Sequence, residues 1–460
     1  MFNIILAHDN NYGIGKNNEL PWFFTSDMRY FKSITSPKNF LETSIVIMGR
    51  KTMESIPNYF LPNRINIIIS NTYSEEKEDL HIVNNFNKAL DVANSYEGCK
   101  IWVIGGSSIY DMAFRHKDLN NIYITKINGN FECDTFVKLP EMTLINKYIF
   151  TEKDIGTGNL YNLEFCKYKP KYNGEQQYLQ LLEDIMVNGK LRQTRNAKVY
   201  SKFSRDINFD VSNSFPLLTT KRMFWKGIVE ELLFFIRGET NTIKLSEKGV
   251  RIWEGNTSRK FLDMMSEKNI VFKNYNIGDM GPMYGYQWRF FNKPYKNKNG
   301  GIDQFYNLIE LIKKDKHSRR LVMTDFNPEQ VSDGVLYPCH SLILQFYCED
   351  NRLSVKMYQR SADLFLGLPF NIASTSLLLY IVSKLVDMTP HMVTLTLGDC
   401  HIYEQHIEQV KKQLNRLPHN LPTLTIPDFK TIEQVEESKL EDYILNDYKC
   451  YSGIKANMVA

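Results

Sequence analysis

The sequence predicts two domains, an α/β sheet domain first and then a domain of long apolar helices around a β-hairpin. Three observations lead there. At 460 residues the chain is too long for one ordinary core. Short apolar strands alternate with helix-like segments over about the first 170 residues. Beyond them, two strong helical patterns flank two strand-like runs that meet at a turn.

In the first domain the expected strands are Ile4–Ala7, Ile45–Met48, Ile65–Ile69, Ile101–Ile104 and Ile122–Thr125. Two of them run into glycines that open helices, at Gly49-Arg50-Lys51-Thr52 and Gly105-Gly106-Ser107-Ser108. Exposed amides at a helix start bind phosphate, and paired glycines let backbone approach a pyrophosphate. The plainer reading is two tight turns. Between the first two strands, Thr25 or Ser26 caps a helix beginning near Asp27, with Met28, Phe31 and Ile34 on its apolar face. Asp27 is either a first-turn acid favoured by the helix dipole or a carboxylate in an aromatic pocket suited to a protonatable heterocycle.

Lys167 to Gly174 reads as a short basic linker. Trp225–Arg237 is a helix stopped by Gly238, and it carries Glu231 among apolar residues. That acid is either a site group or one facing solvent. Tyr337-Pro338-Cys339-His340 runs into a strand-like Ser341–Tyr347, and Arg352–Arg360 pairs with it about Asp350. This hairpin brings Cys339 within a residue or two of Arg360, whose guanidinium favours the thiolate. The alternative is an inert core thiol. Ser361–Asn371 reads as a loop shaping a site, and Ser374–Met388 as a buried helix, apolar all round.

A formal net charge of +4 is too weak for a general nucleic-acid binder and fits small anionic ligands held by local arginines. The seven cysteines form no CxxC pair, so neither zinc nor a disulfide ladder is expected. Free thiols point to a reducing compartment, the cytoplasm. The start lacks a signal-peptide pattern, and the apolar stretch Leu377–Met388 is too short to span a bilayer.

The first domain resembles dihydrofolate reductase. Ala7, Gly13-Ile14-Gly15, Pro21-Trp22, Asp27, Phe31, Met48–Thr52, Arg64, Ile104-Gly105-Gly106, Tyr110 and Thr125 match that family's pattern in order. The resemblance implies a central mixed sheet with flanking helices over residues 1–168, ahead of a linker at 169–174. It implies folate contacts from Ala7, Trp22, Asp27, Met28, Phe31, Arg64 and Thr125. Asp27 would bond the pteridine and promote its protonation, and Arg64 would hold the glutamyl carboxylate. NADPH would lie against Ala7, Ile14, Gly49, Arg50, Lys51, Thr52, Ser70, Asn71, Gly105, Gly106, Ser107 and Tyr110. Pro57–Arg64 departs from the family's glycine-containing loop.

Residues 175–460 resemble thymidylate synthase. Phe215–Arg222, Glu230–Leu233, Ile252-Trp253, Gly281–Arg289, Ser318–Arg320, Pro338–His340, Gln359–Ser374 and Gly398–Tyr403 carry that likeness. It implies an α+β domain in which Cys339 adds to the uracil of dUMP while Tyr284 and Glu231 assist proton removal. The methyl group would come from 5,10-methylenetetrahydrofolate. Arg195, Arg319, Arg320 and Arg360 would grip the phosphate. His340, Gln359, Ser361, Asp363, Asn371, His401 and Tyr403 would complete the dUMP site, and Trp253, Asn256 and Asp363 would line the folate side. Arg319 and Arg320 would reach the partner's phosphate site, which implies a homodimer. Departures are the loop after Arg195, with Asn196-Ala197-Lys198-Val199 for the family's glycine-rich run, Phe326 for tryptophan, and Tyr337 for proline or alanine.

The combined expectation is a bifunctional folate enzyme without a metal. Its rivals are a dCMP hydroxymethylase, which Asn371 opposes, and a degenerate folate- or RNA-binding regulator. Weak RNA binding alongside catalysis stays compatible with the sequence.

Overall fold

The computed structural model describes residues 1–37, 42–73, 79–96, 98–116, 118–140, 142–170, 174–194, 197–296 and 300–458. It divides into two compact units, Met1–Tyr172 and Asn173–Ala460.

The first unit is built from β1 (Phe2–His8), β2 (Gly13–Gly15), α1 (Thr25–Thr35), β3 (Ser44–Gly49), α2 (Arg50–Glu54), β4 (Ile65–Ile69), β5 (Leu80–Val83) and α3 (Phe86–Asn94). β6 (Lys100–Gly105), α4 (Ser107–Phe114), β7 (Leu119–Ile127), β8 (Thr135–Phe136), β9 (Met142–Lys153) and β10 (Leu160–Pro170) follow. Eight strands form one sheet in the order β5-β4-β3-β6-β1-β7-β10-β9, parallel except at β10 and β9. The parallel strands are nearly continuous runs of buried Ile and Val, as expected when helices cover both faces. The winding reverses at β1, which lies between β6 and β7. Ligands bind at such switch points, beyond the carboxyl ends of the strands.

All five expected strands form, and the antiparallel pair β9–β10 is added. β9 leaves Leu144, Ile145, Tyr148, Ile149 and Phe150 exposed, so no single apolar face marks it in the sequence. The expected cap of α1 is corrected: the helix starts at Thr25 behind Phe24, with no side-chain cap. The Glu152 carboxylate of β9 accepts the Thr25 and Ser26 amides instead. An acid from another strand satisfies the free N–H groups and suits the helix dipole. The proposed linker also shrinks, because β10 continues to Pro170 and a helix starts at Gly174.

The second unit contains α5 (Gly174–Asn188), β11 (Lys190–Gln193), β12 (Lys198–Asp210), α6 (Trp225–Ile236), α7 (Ile243–Glu247), α8 (Arg259–Ser266), α9 (Gly285–Phe290), α10 (Gln304–Lys314) and β13 (Val322–Met323). It continues through β14 (Ile343–Glu349), β15 (Arg352–Asp363), α11 (Leu368–Leu385), β16 (Thr389–Tyr403), α12 (Ile407–Leu414), β17 (Thr423–Thr425), α13 (Ile432–Glu437) and β18 (Ile444–Asn446). Six strands pair as β11-β12-β16-β15-β14-β13, and one large apolar core joins this sheet to α6 and α11. The β14–β15 hairpin forms with Glu349 opposite Arg352, and Asp350 takes φ +55° at its turn. Asp tolerates that left-handed conformation well.

α11 begins at Leu368, six residues before the expected start, because Pro369 suits a first helical turn. Asn371 therefore stands on a helix and not in a loop, and Ser361–Asp363 complete β15. The helix is long and apolar enough to cross a membrane by composition, longer than the stretch expected, yet it is packed in the core with 72% buried.

Gly285 opens α9 against α6, where a Cβ would land on the Phe235 carbonyl. Gly285→Ala is expected to force these helices apart at a cost of about 1–3 kcal/mol. Thermal unfolding of the full chain, compared with wild type, measures this loss.

Candidate functional sites

At the switch point of the first unit, the carboxyl ends of β1, β3, β6 and β7 and the inner face of α1 enclose a cleft of about 1330 Å³. That exceeds the roughly 300–1,000 Å³ of a single small-molecule pocket, so two ligands fit side by side. Ala7 and Thr125 sit in register on β1 and β7. Asp27, Met28 and Phe31 line one end, and Ile14, Gly49–Thr52, Gly105–Ser107 and Tyr110 the other.

Asp27 is the only buried acid of α1. Burial pushes its carboxyl up to about 6, the facing Thr125 hydroxyl pulls down, and Glu152 adds a smaller upward push. Opposite it, Gly49 and Gly106 start α2 and α4, as expected. A Cβ on Gly105 would lie 3.3 Å from the Tyr110 ring and one on Gly106 3.2 Å from Thr52 Oγ1, so any side chain would begin to fill this cradle. The Tyr110 hydroxyl is committed to the Ile5 carbonyl at 2.8 Å. Arg50 pairs with Glu54 at 3.1 Å on the exposed side of α2.

Four expected residues fall outside the cleft lining: Trp22, Arg64, Ser70 and Asn71. Trp22 turns inward against Phe131. Arg64 donates from Nε to the Thr35 carbonyl (3.0 Å) and from Nη2 to Ser36 (2.6 Å), which ties it to the end of α1. Ser70 accepts the Thr72 and Tyr73 amides at 3.1 Å, and Asn71 is exposed.

In the second unit Cys339 precedes β14 on a loop. The strand begins at Ile343 and not at Ser341, whose φ of +57° turns the chain first. The Arg360 amide donates to the Cys339 carbonyl at 2.8 Å and the Ser361 amide at 3.4 Å, so the edge of β15 fixes the loop. Tyr284, at the start of α9, stacks between Phe235 and His340 and holds its hydroxyl 3.7 Å from Cys339 Sγ.

The sequence expectation of a thiol favoured as thiolate is corrected here. Burial pushes the Cys339 thiol up, and the Tyr284 hydrogen bond and Arg360 charge only partly offset it. Arg360 is occupied by the Pro338 and Tyr337 carbonyls at 3.2 and 3.3 Å and stacks on Tyr337. His340 is pushed down to about 4 by burial, so its imidazole is neutral at pH 7.

Glu231 is half-buried and bonded: the Trp253 indole donates to it at 2.8 Å. Burial raises its carboxyl to about 7 while that bond pulls down. Gln359 donates to Asn371 Oδ1 at 3.0 Å, which aims the Asn371 amide. Asp363 accepts the Phe365 and Leu366 amides and closes the turn into α11. His401, buried on β16, pairs with Asp399 at 3.1 Å, and Tyr403 packs edge-on against its ring. Arg319 and Arg320 are exposed, with no ion pair among the described residues, and Asn256 is half-buried. Arg195 and Asn196 lie outside the described residues.

Sequence reasoning missed Glu152, Asp325 and the orienting role of Asp399. Glu152, on the exposed strand β9, and Asp325, just past β13, act on residues distant in sequence, a pairing that no local periodic signal marks.

An α/β unit with a dinucleotide-sized cleft over a buried acid, followed by an α+β unit with a hydrogen-bonded cysteine beside a buried tyrosine and near a half-buried glutamate, defines a two-site enzyme. Residues 1–169 match the dihydrofolate reductase family and residues 176–460 the thymidylate synthase family. The bifunctional dihydrofolate reductase-thymidylate synthase of Paramecium tetraurelia is 36% identical over 471 residues, covering 99% of this chain and 98% of that protein. Those of Leishmania major and Zea mays are 35% and 33% identical, each covering 99% of this chain and 95% and 96% of theirs. The chain belongs to the bifunctional dihydrofolate reductase-thymidylate synthase family, an oxidoreductase domain followed by a methyltransferase domain.

Trp253→Phe removes the donor that holds the Glu231 carboxylate. Its titration midpoint is expected to rise above about 7, read by carbon NMR of labelled glutamate against Glu231→Gln for assignment.

Proposed function

We propose that the second domain, about residues 175–460, methylates dUMP to dTMP with 5,10-methylenetetrahydrofolate. The first, about residues 1–168, reduces the resulting dihydrofolate to tetrahydrofolate with NADPH. The observation that carries the reading is the pairing of two complete sets of groups: Cys339 with Tyr284 and Glu231, and Asp27 across a long cleft from the Gly105-Gly106 cradle.

In the synthase, the Cys339 thiolate adds to carbon six of the uracil, and carbon five becomes the nucleophile toward the folate's methylene. Glu231, near half-protonated at neutral pH, takes and returns protons through ordered solvent. Tyr284 serves the proton at carbon five. Asn371, held by Gln359, reads the uracil edge, and His401 and Tyr403 the ribose. Arg360 and Arg195 grip the phosphate, while His340 and Ser361 border the base. Trp253, Asn256 and Asp363 face the folate.

In the reductase, Asp27 bonds the pteridine and, in its protonated form, donates toward the ring nitrogen. The glycine cradle and Arg50, Lys51 and Thr52 fit the phosphates of NADPH, which supplies the hydride when bound. Arg64 serves the glutamyl carboxylate.

A homodimer through the synthase sheet accounts for the exposed Ile343, Tyr347 and Phe203 on that sheet and for Arg319 and Arg320, exposed and without an ion pair among the described residues, which complete the partner's phosphate site. The seven free cysteines support a reducing, cytoplasmic setting. No observation favours the hydroxymethylase or the regulator.

Purified protein given dUMP, methylenetetrahydrofolate and NADPH is expected to form dTMP and then consume NADPH. Cys339→Ala abolishes both, and Asp27→Asn lowers only the second, by roughly 10²–10⁴-fold. Absence of dTMP despite dUMP binding would overturn the synthase reading. Asp27 carries its proton below about 6 and loses it above. Hydride transfer to dihydrofolate, followed by stopped-flow absorbance, therefore slows as pH rises through that value.

A further inference from the structure

Asp325 follows β13, is 1% exposed, and has neither carboxyl oxygen hydrogen-bonded. Its chain neighbours bracket the nucleophile. The Thr324 hydroxyl donates to the Leu342 carbonyl, just past Cys339 in the chain, and the Phe326 ring lies 5.7 Å from that of Tyr337, just before it. The carboxyl thus sits behind the Cys339 loop, close enough for its charge to act on both Tyr284 and Cys339. Among the described residues, the other ionisable groups here are His340, neutral at pH 7, and the cation Arg360, already bonded to the Tyr337 and Pro338 carbonyls.

We propose that Asp325 is a positioning residue of the synthase site that competes with Cys339 for the single negative charge this pocket holds, and so sets the pH at which the thiolate forms. The inference rests on Cys339 being the nucleophile. Each buried anion carries a large desolvation cost, and one guanidinium offsets one charge. Two anions here repel, so the groups titrate as a pair. Burial raises the Asp325 carboxyl well above the usual carboxylate range and the Cys339 thiol above its own, so each group's ionisation opposes the other's. Once Asp325 ionises it opposes the thiolate. Tyr284 is held protonated by burial and lends its hydrogen bond to whichever sulfur form is present.

The test is alkylation of the full-length protein by iodoacetamide across about pH 6–10, with modification of Cys339 read by peptide mass spectrometry. Asp325→Asn and Asp325→Ala are expected to move the Cys339 midpoint down by about one pH unit, giving roughly tenfold faster alkylation over the pH range in which Asp325 is ionised in the wild type. A midpoint unchanged in both variants overturns the proposal, including the case where rates change equally at every pH, as a purely structural role would produce. Asp325→Ala removes a buried group without a partner and should unfold no earlier than wild type. It carries the test if the asparagine variant folds poorly. Formation of dTMP by Cys339→Ala would instead refute the nucleophile assignment, and the alkylation profile of Asp325 variants would still report the coupling.

Discussion

The register of the β14–β15 hairpin is the constraint on which the synthase site depends. Side chains alternate along a strand, so a slip of one residue would send Gln359 outward and Arg360 into the core. The turn at Asp350 and the pairing of Glu349 with Arg352 fix that register at one end. At the other, the Arg360 amide closes on the Cys339 carbonyl. Between these two points the buried Leu344, Phe346 and Met357 lock the inner face. A thiol, a guanidinium and an amide pair are thereby brought together by backbone bonds that form wherever the apolar pattern is obeyed.

The reductase cleft follows from a different constraint, the reversal of winding at β1. The carboxyl ends of β1, β3, β6 and β7 all open on one side, and α1 crosses above them. Glu152 reaches from β9 to the start of α1 and fixes the first turn, which carries Asp27. The acid of the cleft is thus held by a second acid on a strand more than a hundred residues away in the chain.

Much of this was legible in the sequence. The five parallel strands, the hairpin and the helices opened by Gly49 and Gly106 announce themselves through period and punctuation, because local sterics and burial set both. Asp27, Cys339 and Glu231 were readable as anomalies, each a polar group on an apolar element. What escaped depended on contacts between distant segments. The α1 cap is supplied by Glu152, the helix holding Asn371 begins earlier than its apolar run, and β9 has no buried face to give it a period. Cys339 was misjudged in charge rather than position. A neighbouring guanidinium can be read from a hairpin, but the depth of burial opposing it is a property of the whole domain.

Burial acts on the ionisable groups of both sites in one direction, toward the neutral form. It raises Asp27 to about 6 and Glu231 to about 7, lowers His340 to about 4 and pushes the Cys339 thiol up. For the two carboxyls this is useful as it stands, since a group near its midpoint at working pH both gives and takes a proton. The thiol has the opposite requirement, because only its anion attacks. It follows that a binding anion cannot by itself activate Cys339: another negative charge in a buried pocket makes the thiolate harder to form. In the proposed dUMP site, the arginines around the phosphate must therefore overcompensate it, leaving net positive potential at the sulfur. Arg360 alone is one charge, largely engaged with backbone, and cannot do both tasks. In the dimer proposed above, the exposed Arg319 and Arg320, which have no ion pair among the described residues, would supply that surplus charge, and their arrival would tie nucleophile activation to the assembled, substrate-bound site.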